Sequence, residues 1–266
     1  MTAAIIIAKG HSRRLAGKNL LPFCGKPLFV WSVIQAQCSH LIDEVYVSTD
    51  SAEIAEVAEE AGAKVIERPV LHPDITASPI YNHAIREIQK RVSYGRVQGP
   101  LDIILSILPT SPLRHAYDFD ESILLYGRLP EKKKQVWPLT PECETVVYKK
   151  TGPTTFDTIV GDKSWGYMTQ GGAWNVISPE VYEEITQYGT NYDSVIDGRW
   201  AEEDEAARAH EDVATYYYAL QPYQQFDIDA HDDFVICESI MQRMILVETD
   251  VYEKYKSMNI LGVGNG

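Results

Sequence analysis

The sequence predicts an α/β fold, a mostly parallel, doubly wound sheet with helices on both faces, within one domain spanning residues 1–266. Three observations predict it. Short apolar runs alternate with stretches of helical length through the first half of the chain. At least one run, Leu101–Leu108, is apolar nearly throughout, as a strand covered on both faces is. Start and stop signals for helices fall between the runs.

The elements follow in order. Ala3–Ala8 reads as a strand, and a polar loop succeeds it. Leu28–Cys38 reads as a helix opened by Pro27. Val45–Ser48 is the second strand. Ser51–Ala61 is a helix, with Asp50 before it, Glu53 three residues on and Gly62 just beyond, an N-terminal box and a C-terminal stop. Lys64–Ile66, Pro79–Val92, Leu101–Leu108 and Asp118–Tyr126 continue the alternation as strand, helix, strand, helix. The second half is less regular. Thr145–Lys149 and Ala173–Ile177 look like strands, and 150–172, rich in Gly, Thr and Asp, looks like a projecting loop or hairpin. The acidic stretch Asp197–Asp212 reads as a solvated helix or loop. Thr215–Leu220 reads as a strand and Asp232–Leu246 as a helix. There is no internal repeat and no low-complexity tract.

Charge narrows the function. With 24 basic and 38 acidic residues, the net charge is −14. General binding to nucleic acid or to an anionic membrane is not expected. Apolar runs such as Ile103–Leu108 are too short to span a bilayer. The N-terminal run lacks the preceding positive charges of a signal peptide. Cys24, Cys38, Cys143 and Cys237 show no CxxC spacing and read as reduced thiols in a cytoplasmic protein.

In open parallel sheets, ligands bind beyond the carboxyl ends of the strands. That directs attention to Lys9–Lys26, Thr49–Asp50, Arg68–Ser78 and Pro109–Arg114. From Lys9 to Lys26 the chain carries Lys9, Arg13, Arg14, Lys18 and Lys26 and no acid. Gly10 and Gly17 allow tight turns and close approach of the backbone to a ligand. Backbone N–H groups with Lys and Arg suit a polyphosphate; a plain basic surface loop is the alternative. The spacing is not that of a Walker A loop, because six residues separate the glycines and Asn19 follows Lys18. Asp227 and Asp229, two apart at an apparent strand end, would share a face. Such a pair suits Mg²⁺, while Asp229 with Asp232 equally resembles an N-cap and an acidic first turn. No HExxH, zinc-type Cys/His spacing or GxSxG is present, and a Cys/His dyad stays open.

Together these pieces resemble the acylneuraminate cytidylyltransferase family, the CMP-sialic acid synthetases and their relatives. The resemblance rests on IIIAKGHSRRLAGKNLLPFCGKPL (Ile5–Leu28), VSTD (Val47–Asp50), ERP (Glu67–Pro69), PTSPLR (Pro109–Arg114) and FDIDAHDD (Phe226–Asp233). It implies a Rossmann-like sheet and transfer of CMP from CTP to the anomeric hydroxyl of a 2-keto-3-deoxy sugar acid, with release of pyrophosphate. It implies a nucleotide site of Lys9, Gly10, Ser12, Arg14, Lys18, Asn19, Arg68, Ser78, Pro109 and Thr110. In it, Ser12, Arg14, Lys18 and Asn19 hold the triphosphate, and Arg68 and Ser78 help hold the cytidine. Lys18, Asp227 and Asp229 would be catalytic, the two aspartates as ligands of Mg²⁺. Leu108, Ser111, Gly172 and Asn175 would face the acceptor. The expected partners are CTP and a small acidic acceptor. The resemblance also implies a homodimer joined through about 138–172, with Trp137, Trp165, Tyr167 and Trp174 as interface or as core.

The chain departs from the family pattern mainly on the acceptor side. Lys9 replaces a usual Arg, which keeps the charge but loses the bidentate fork. Ala16 replaces a common Pro. Leu108 replaces a Gln and cannot bond sugar hydroxyls. In Gly171–Asn175 the family's NGAIY has become GGAWN. Gly161 falls near the place of the arginine for the sugar carboxylate, with Lys163 the nearest cation. The stretch from Asn175 to Asp227 is longer than the pattern. These departures point to an acceptor other than ordinary sialic acid: another nonulosonic acid, an eight-carbon sugar acid, or a phosphonate. A transferase using another nucleotide and a non-catalytic nucleotide-binding relative are the competing readings.

Overall fold

Strand β1 (Thr2–Ala8) has nothing but small and β-branched residues, and they divide by parity. Ala4, Ile6 and Ala8 enter one core and Ala3 and Ile5 the other. Two-residue periodicity in a strand covered on both faces produces this division. A computed structural model describes residues 1–12, 15–71, 77–141, 148–150, 156–158, 168–169, 174–186 and 213–247.

Around β1 lie β4 (Glu44–Thr49), β5 (Lys64–Glu67) and β6 (Ile103–Ile107), all parallel, in the order β6-β1-β4-β5. Helices α1 (Leu28–Cys38), α2 (Ala52–Glu60) and α4 (Ala116–Arg128) pack into the first core, and α3 (Ala77–Ser93) covers the other. Beyond β6 the sheet becomes mixed. There β11 (Trp174–Ile177) runs antiparallel between β6 and β7 (Lys134–Pro141), and β12 (Ala214–Ala219) runs parallel to β7. A short β10 (Met168–Thr169) pairs antiparallel with the end of β7. Helix α5 (Pro179–Thr186) joins α3 on its face, and α6 (His231–Ile240) packs into the first core. Two small hairpins complete the described elements: β2 (Pro22–Phe23) with β3 (Lys26–Pro27), and β8 (Tyr148–Lys150) with β9 (Phe156–Thr158).

The doubly wound α/β expectation holds, and all eight regular elements read from the first half are present. Besides the small β2–β3 hairpin, β7 and α5 escaped the sequence. β7 contains Pro138 and Pro141, which argue against a strand. α5 is only eight residues long; Pro179 opens it, and the Ser178 hydroxyl accepts from the Val181 N–H at 3.3 Å.

Three local readings need correction. Ser51, not Asp50, caps α2, accepting from the Ile54 N–H at 3.4 Å; the Asp50 carboxylate is committed elsewhere. Asp227 and Asp229 do not lie at a strand end, because β12 stops at Ala219 and a 3₁₀ turn, Pro222–Gln225, intervenes. Nor is Asp229 the cap of α6. Ala230 holds the N-cap position, and the Asp233 carboxylate in the first turn reaches back to accept from the N–H groups of Asp229 at 3.0 Å and Ala230 at 2.8 Å. The last helix also changes pitch, ending in a π-helical turn over Met241–Ile245. The expected 150–172 projection is described only at the end of β8 and in β9 and β10; Asp197–Asp212 lies outside the described residues.

Candidate active site

The carboxyl ends of β1, β4 and β5 meet through one carboxylate. Asp50, just past β4, accepts the Gly10 N–H at 2.8 Å with one oxygen. Its other oxygen pairs with the Arg68 guanidinium at 3.0 Å, both side chains almost wholly buried. Gly10 must be glycine here, since a Cβ would sit 2.9 Å from the Ser51 Cβ. Buried pairs of this kind hold geometry, because neither charge can be left alone in a low dielectric. The Arg68 Nε is buried with no partner among the described residues, so this guanidinium retains a donor.

The loop then returns under itself. Gly17 adopts φ +61° and leads into a short 3₁₀ turn, Lys18–Leu20. Asn19 donates to the Lys9 carbonyl at 2.9 Å, bracing both ends of the loop. Lys18 points inward, with its side chain 9% exposed. Its ammonium donates to the Ile228 carbonyl and lies 3.4 Å from the Asp229 carboxylate. The Ile228 N–H donates to the Thr110 carbonyl at 2.7 Å, and Ser111 donates to Asp227 at 3.1 Å. Thus the Pro109–Arg114 loop, the basic loop and the Asp227–Asp229 segment form one hydrogen-bonded unit. Ile228 is fully buried and anchors it.

Two cavities open on this unit. The first, about 320 Å³, is lined by Lys9, Ser12, Lys18, Asn19, Arg68, Pro109, Thr110 and Asp229, with Ile7, Ala77, Ile80 and Leu108 as its apolar wall. The second, about 350 Å³, is lined by Ser78, Tyr81, Ser106, Ser111, Trp137, Trp174, Asn175 and Asp227, among others. Ala77 and Leu108 line both, so the cavities are neighbours. One holds three cations and one acid along its wall; the other holds a single acid and no Lys or Arg among the described residues.

Most residues expected to bind a nucleotide therefore line one cavity, and most of those expected on the acceptor side line the other. Ser78 is the exception, since it lines the second cavity; Leu108 lines both; Gly10 supports the loop from outside the lining. Arg14 and Gly172 lie outside the described residues, as do Trp165 and Tyr167. Trp174 is fully buried and belongs to the core and cavity wall rather than to an outer interface.

Sequence reasoning placed Thr49–Asp50 among the loops beyond the strand ends but gave the Asp50 side chain no role in the site. It also passed over Tyr81 and Tyr182, which reach the second cavity from α3 and α5. Behind that cavity lies Arg114, fully buried, donating to the Ser32 hydroxyl at 2.6 Å. Burial pulls its guanidinium down to about 9, against the pull of Tyr81, Asp227 and Asp118, so it stays charged at neutral pH. Asp118 is itself held above the usual carboxylate range by burial, though the His115 N–H, Gln224 and Tyr218 all donate to it.

The family model described as Cytidylyltransferase matches residues 3–101. CMP-N,N'-diacetyllegionaminic acid synthase of Legionella pneumophila is 35% identical over 189 residues, covering 70% of this chain and 69% of that protein. N-acylneuraminate cytidylyltransferase A of Danio rerio is 36% identical over 124 residues, 46% of this chain but only 27% of that longer protein. The solved structure of a CMP:2-keto-3-deoxy-manno-octonic acid synthetase complexed with CTP superposes with a TM-score of 0.65, covering 92% of this chain and 99% of that one. At 16% identity that likeness establishes the fold.

Proposed function

Since the chain belongs to the acylneuraminate cytidylyltransferase family, we propose that it transfers CMP from CTP to the anomeric hydroxyl of a 2-keto-3-deoxy sugar acid and releases pyrophosphate. The observation that carries this reading is the pair of adjoining cavities, one cationic and one largely apolar, with Leu108 and Ala77 common to both walls. Two substrates that must react need two pockets whose mouths meet.

The cationic cavity takes the triphosphate. Lys9, Lys18 and Arg68 supply positive charge, and Ser12 and Asn19 supply neutral hydrogen-bonding groups. In the reaction the acceptor oxygen forms a bond to the α-phosphorus, the bond from that phosphorus to the pyrophosphate oxygen breaks, and the hydroxyl proton is released. Negative charge gathers on the leaving pyrophosphate. Lys18 is the residue suited to meet that charge, because its ammonium is held inward by a carbonyl and a carboxylate before any ligand arrives. Preorganised charge of this sort is the main catalytic lever in phosphoryl-type transfer.

The donor set also fits Mg²⁺. Among the described residues no three His, Cys, Asp or Glu side chains gather into a metal cluster. Asp227 and Asp229 offer two carboxylates around one buried residue, each lining a cavity. That is the sparse oxygen set of an ion completed by phosphate oxygens and waters. When bound, the ion would polarise the α-phosphate and acidify the acceptor hydroxyl. Asp227 and Asp229 would hold it, and Ser111 and Lys18 would orient the two carboxylates.

Homodimerisation through about 138–172 and a cytoplasmic location belong to the same reading, supported by the family resemblance; sedimentation at two concentrations tests the former. Among the described residues no helix is long and apolar enough to cross a membrane. The reaction is tested by ³¹P NMR of the products from CTP and a panel of sugar acids. A phosphodiester resonance together with inorganic pyrophosphate is expected; CDP or CMP with orthophosphate would refute the transfer.

A further inference from the structure

A carboxylate that lines neither cavity sits in the first turn of α4. Asp118 is almost wholly buried, and three segments of the chain donate to it. One oxygen accepts the His115 N–H at 2.8 Å and the Gln224 side-chain amide at 2.7 Å. The other accepts the Tyr218 hydroxyl at 3.2 Å, from β12. Gln224 is equally buried. Its own amide oxygen accepts the Gln221 N–H at 2.8 Å, which closes the 3₁₀ turn Pro222–Gln225. Beside it, the His115 imidazole and the Tyr223 hydroxyl share a hydrogen bond of 2.6 Å. Asp118, His115, Tyr223 and Gln224 are all absent from the walls of the two cavities.

A buried carboxylate is a costly way to hold a helix to a turn, since packed hydrocarbon often holds as well. What a satisfied polar cluster adds is one fixed arrangement of the segments it joins. Two segments of the site leave from this cluster. The Pro109–Arg114 loop, which carries Ser111, runs directly into His115. The 3₁₀ turn runs directly into Asp227, and Gln225 and Asp227 both lie on the wall of the second cavity. The segments meet again where Ser111 donates to Asp227 at 3.1 Å and the Ile228 N–H donates to the Thr110 carbonyl at 2.7 Å. The chain thus forms a ring closed at two places, Asp118 with Gln224 and Ser111 with Asp227. Asp229 follows just past buried Ile228.

We propose that Asp118 and Gln224 are positioning residues for Asp227 and Asp229, fixing the turn from which both carboxylates are presented to Mg²⁺. The proposal rests on the reading of those two aspartates as holders of the ion, and extends it to a pair that touches neither ion nor substrate.

The test uses the full chain and Mn²⁺ as the probe, followed by electron paramagnetic resonance in the presence of CTP, with CTP alone as the blank. Asp229→Asn marks the loss of a direct ligand. Gln224→Leu keeps much of the side-chain volume but removes the donor to Asp118. It should raise the Kd for Mn²⁺ about 10-fold, the scale of losing a group that supports a metal ligand. Asp118→Asn keeps an oxygen for His115 and Gln224, and the Tyr218 hydroxyl can accept from the new amide, so its Kd should stay close to native. If Gln224→Leu does not fold, Tyr223→Phe decides in its place, with a smaller rise expected and a native Kd overturning the proposal. A cluster that serves the fold alone would lower the urea midpoint of Gln224→Leu and leave its Kd at the native value; that result overturns the proposal. So does a Kd for Asp118→Asn as weak as that of Gln224→Leu. Native protein that takes up no Mn²⁺, or Asp229→Asn that binds it as native does, refutes the metal reading and the proposal with it. Loss in Asp229→Asn without loss in Gln224→Leu refutes the proposal alone.

Discussion

The Lys18 ammonium lies 3.4 Å from the Asp229 carboxylate, across 211 positions of sequence. The contact closes a loop that begins at the end of β1 and a segment that opens α6. Each partner has a job of its own in the proposed reaction, one toward phosphate and one toward the metal, and each holds the other in place meanwhile.

That coupling predicts non-additive variants. Lys18→Met and Asp229→Asn should each lower kcat by about 10²–10³-fold, the scale of losing one preorganised charge. The double variant should lose little more than the worse single one, as residues acting as a unit do. Steady-state pyrophosphate release on the three proteins checks this; fully multiplicative losses would separate the two roles.

Asp50 should matter more for stability than its surface-loop position suggests. Asp50→Ala leaves the buried Arg68 guanidinium without its carboxylate, a change that typically costs about 3–5 kcal/mol. Urea unfolding measures that loss directly. Gly10→Ala, which forces a Cβ to within 2.9 Å of Ser51, should instead raise the KM for CTP with a smaller effect on the unfolding midpoint.

The cap of α6 gives a third expectation. Asp233→Ala removes the acceptor for two N–H groups and should cost about 1 kcal/mol, the usual value of an N-cap. Asp229→Asn leaves that cap in place. An Asp229 variant more damaging to thermal stability than Asp233→Ala would restore the capping role to Asp229.

Alkaline stability follows from burial. Burial pushes Cys24, Cys237 and Tyr46 up to about 12, and it raises Tyr81, Tyr182 and Tyr218 as well. In the unfolded chain these groups lose their protons near 9 for thiols and 10 for phenols. Between those values and the folded ones the native state holds more protons, so stability falls as pH rises. Lys26 and Arg114 shift the other way and offset part of the loss. The urea midpoint should therefore be lower at pH 10.5 than at pH 8. At pH 8 iodoacetamide should leave Cys24 and Cys237 unmodified in the folded protein and label both after unfolding.

The legible part of this molecule was the part with local causes. Alternating apolar runs foretold β1, β4, β5 and β6, and the dense charge of Lys9–Lys26 foretold the cationic cavity. Contacts across long sequence gaps were not legible. Asp50 read as a helix cap because its neighbours look like one; only the fold brings Gly10 and Arg68 to its two oxygens. Asp227 and Asp229 read as a strand end because β12 is near in sequence, yet Gln224, held by Asp118 at 2.7 Å, turns the chain before they arrive. β7 hid behind its prolines, and with it the strand that joins β11 to β12 and the place of Trp137 on the cavity wall.

The central claim is cytidylyl transfer at the adjoining cavities, and pyrophosphate release with Mg²⁺ and a panel of 2-keto-3-deoxy sugar acids tests it most directly, with CTP set against ATP, GTP and UTP. Release dependent on both CTP and one acid, lost in Lys18→Met, is the predicted result. Acid-independent release, or equal release from another nucleotide, would contradict it.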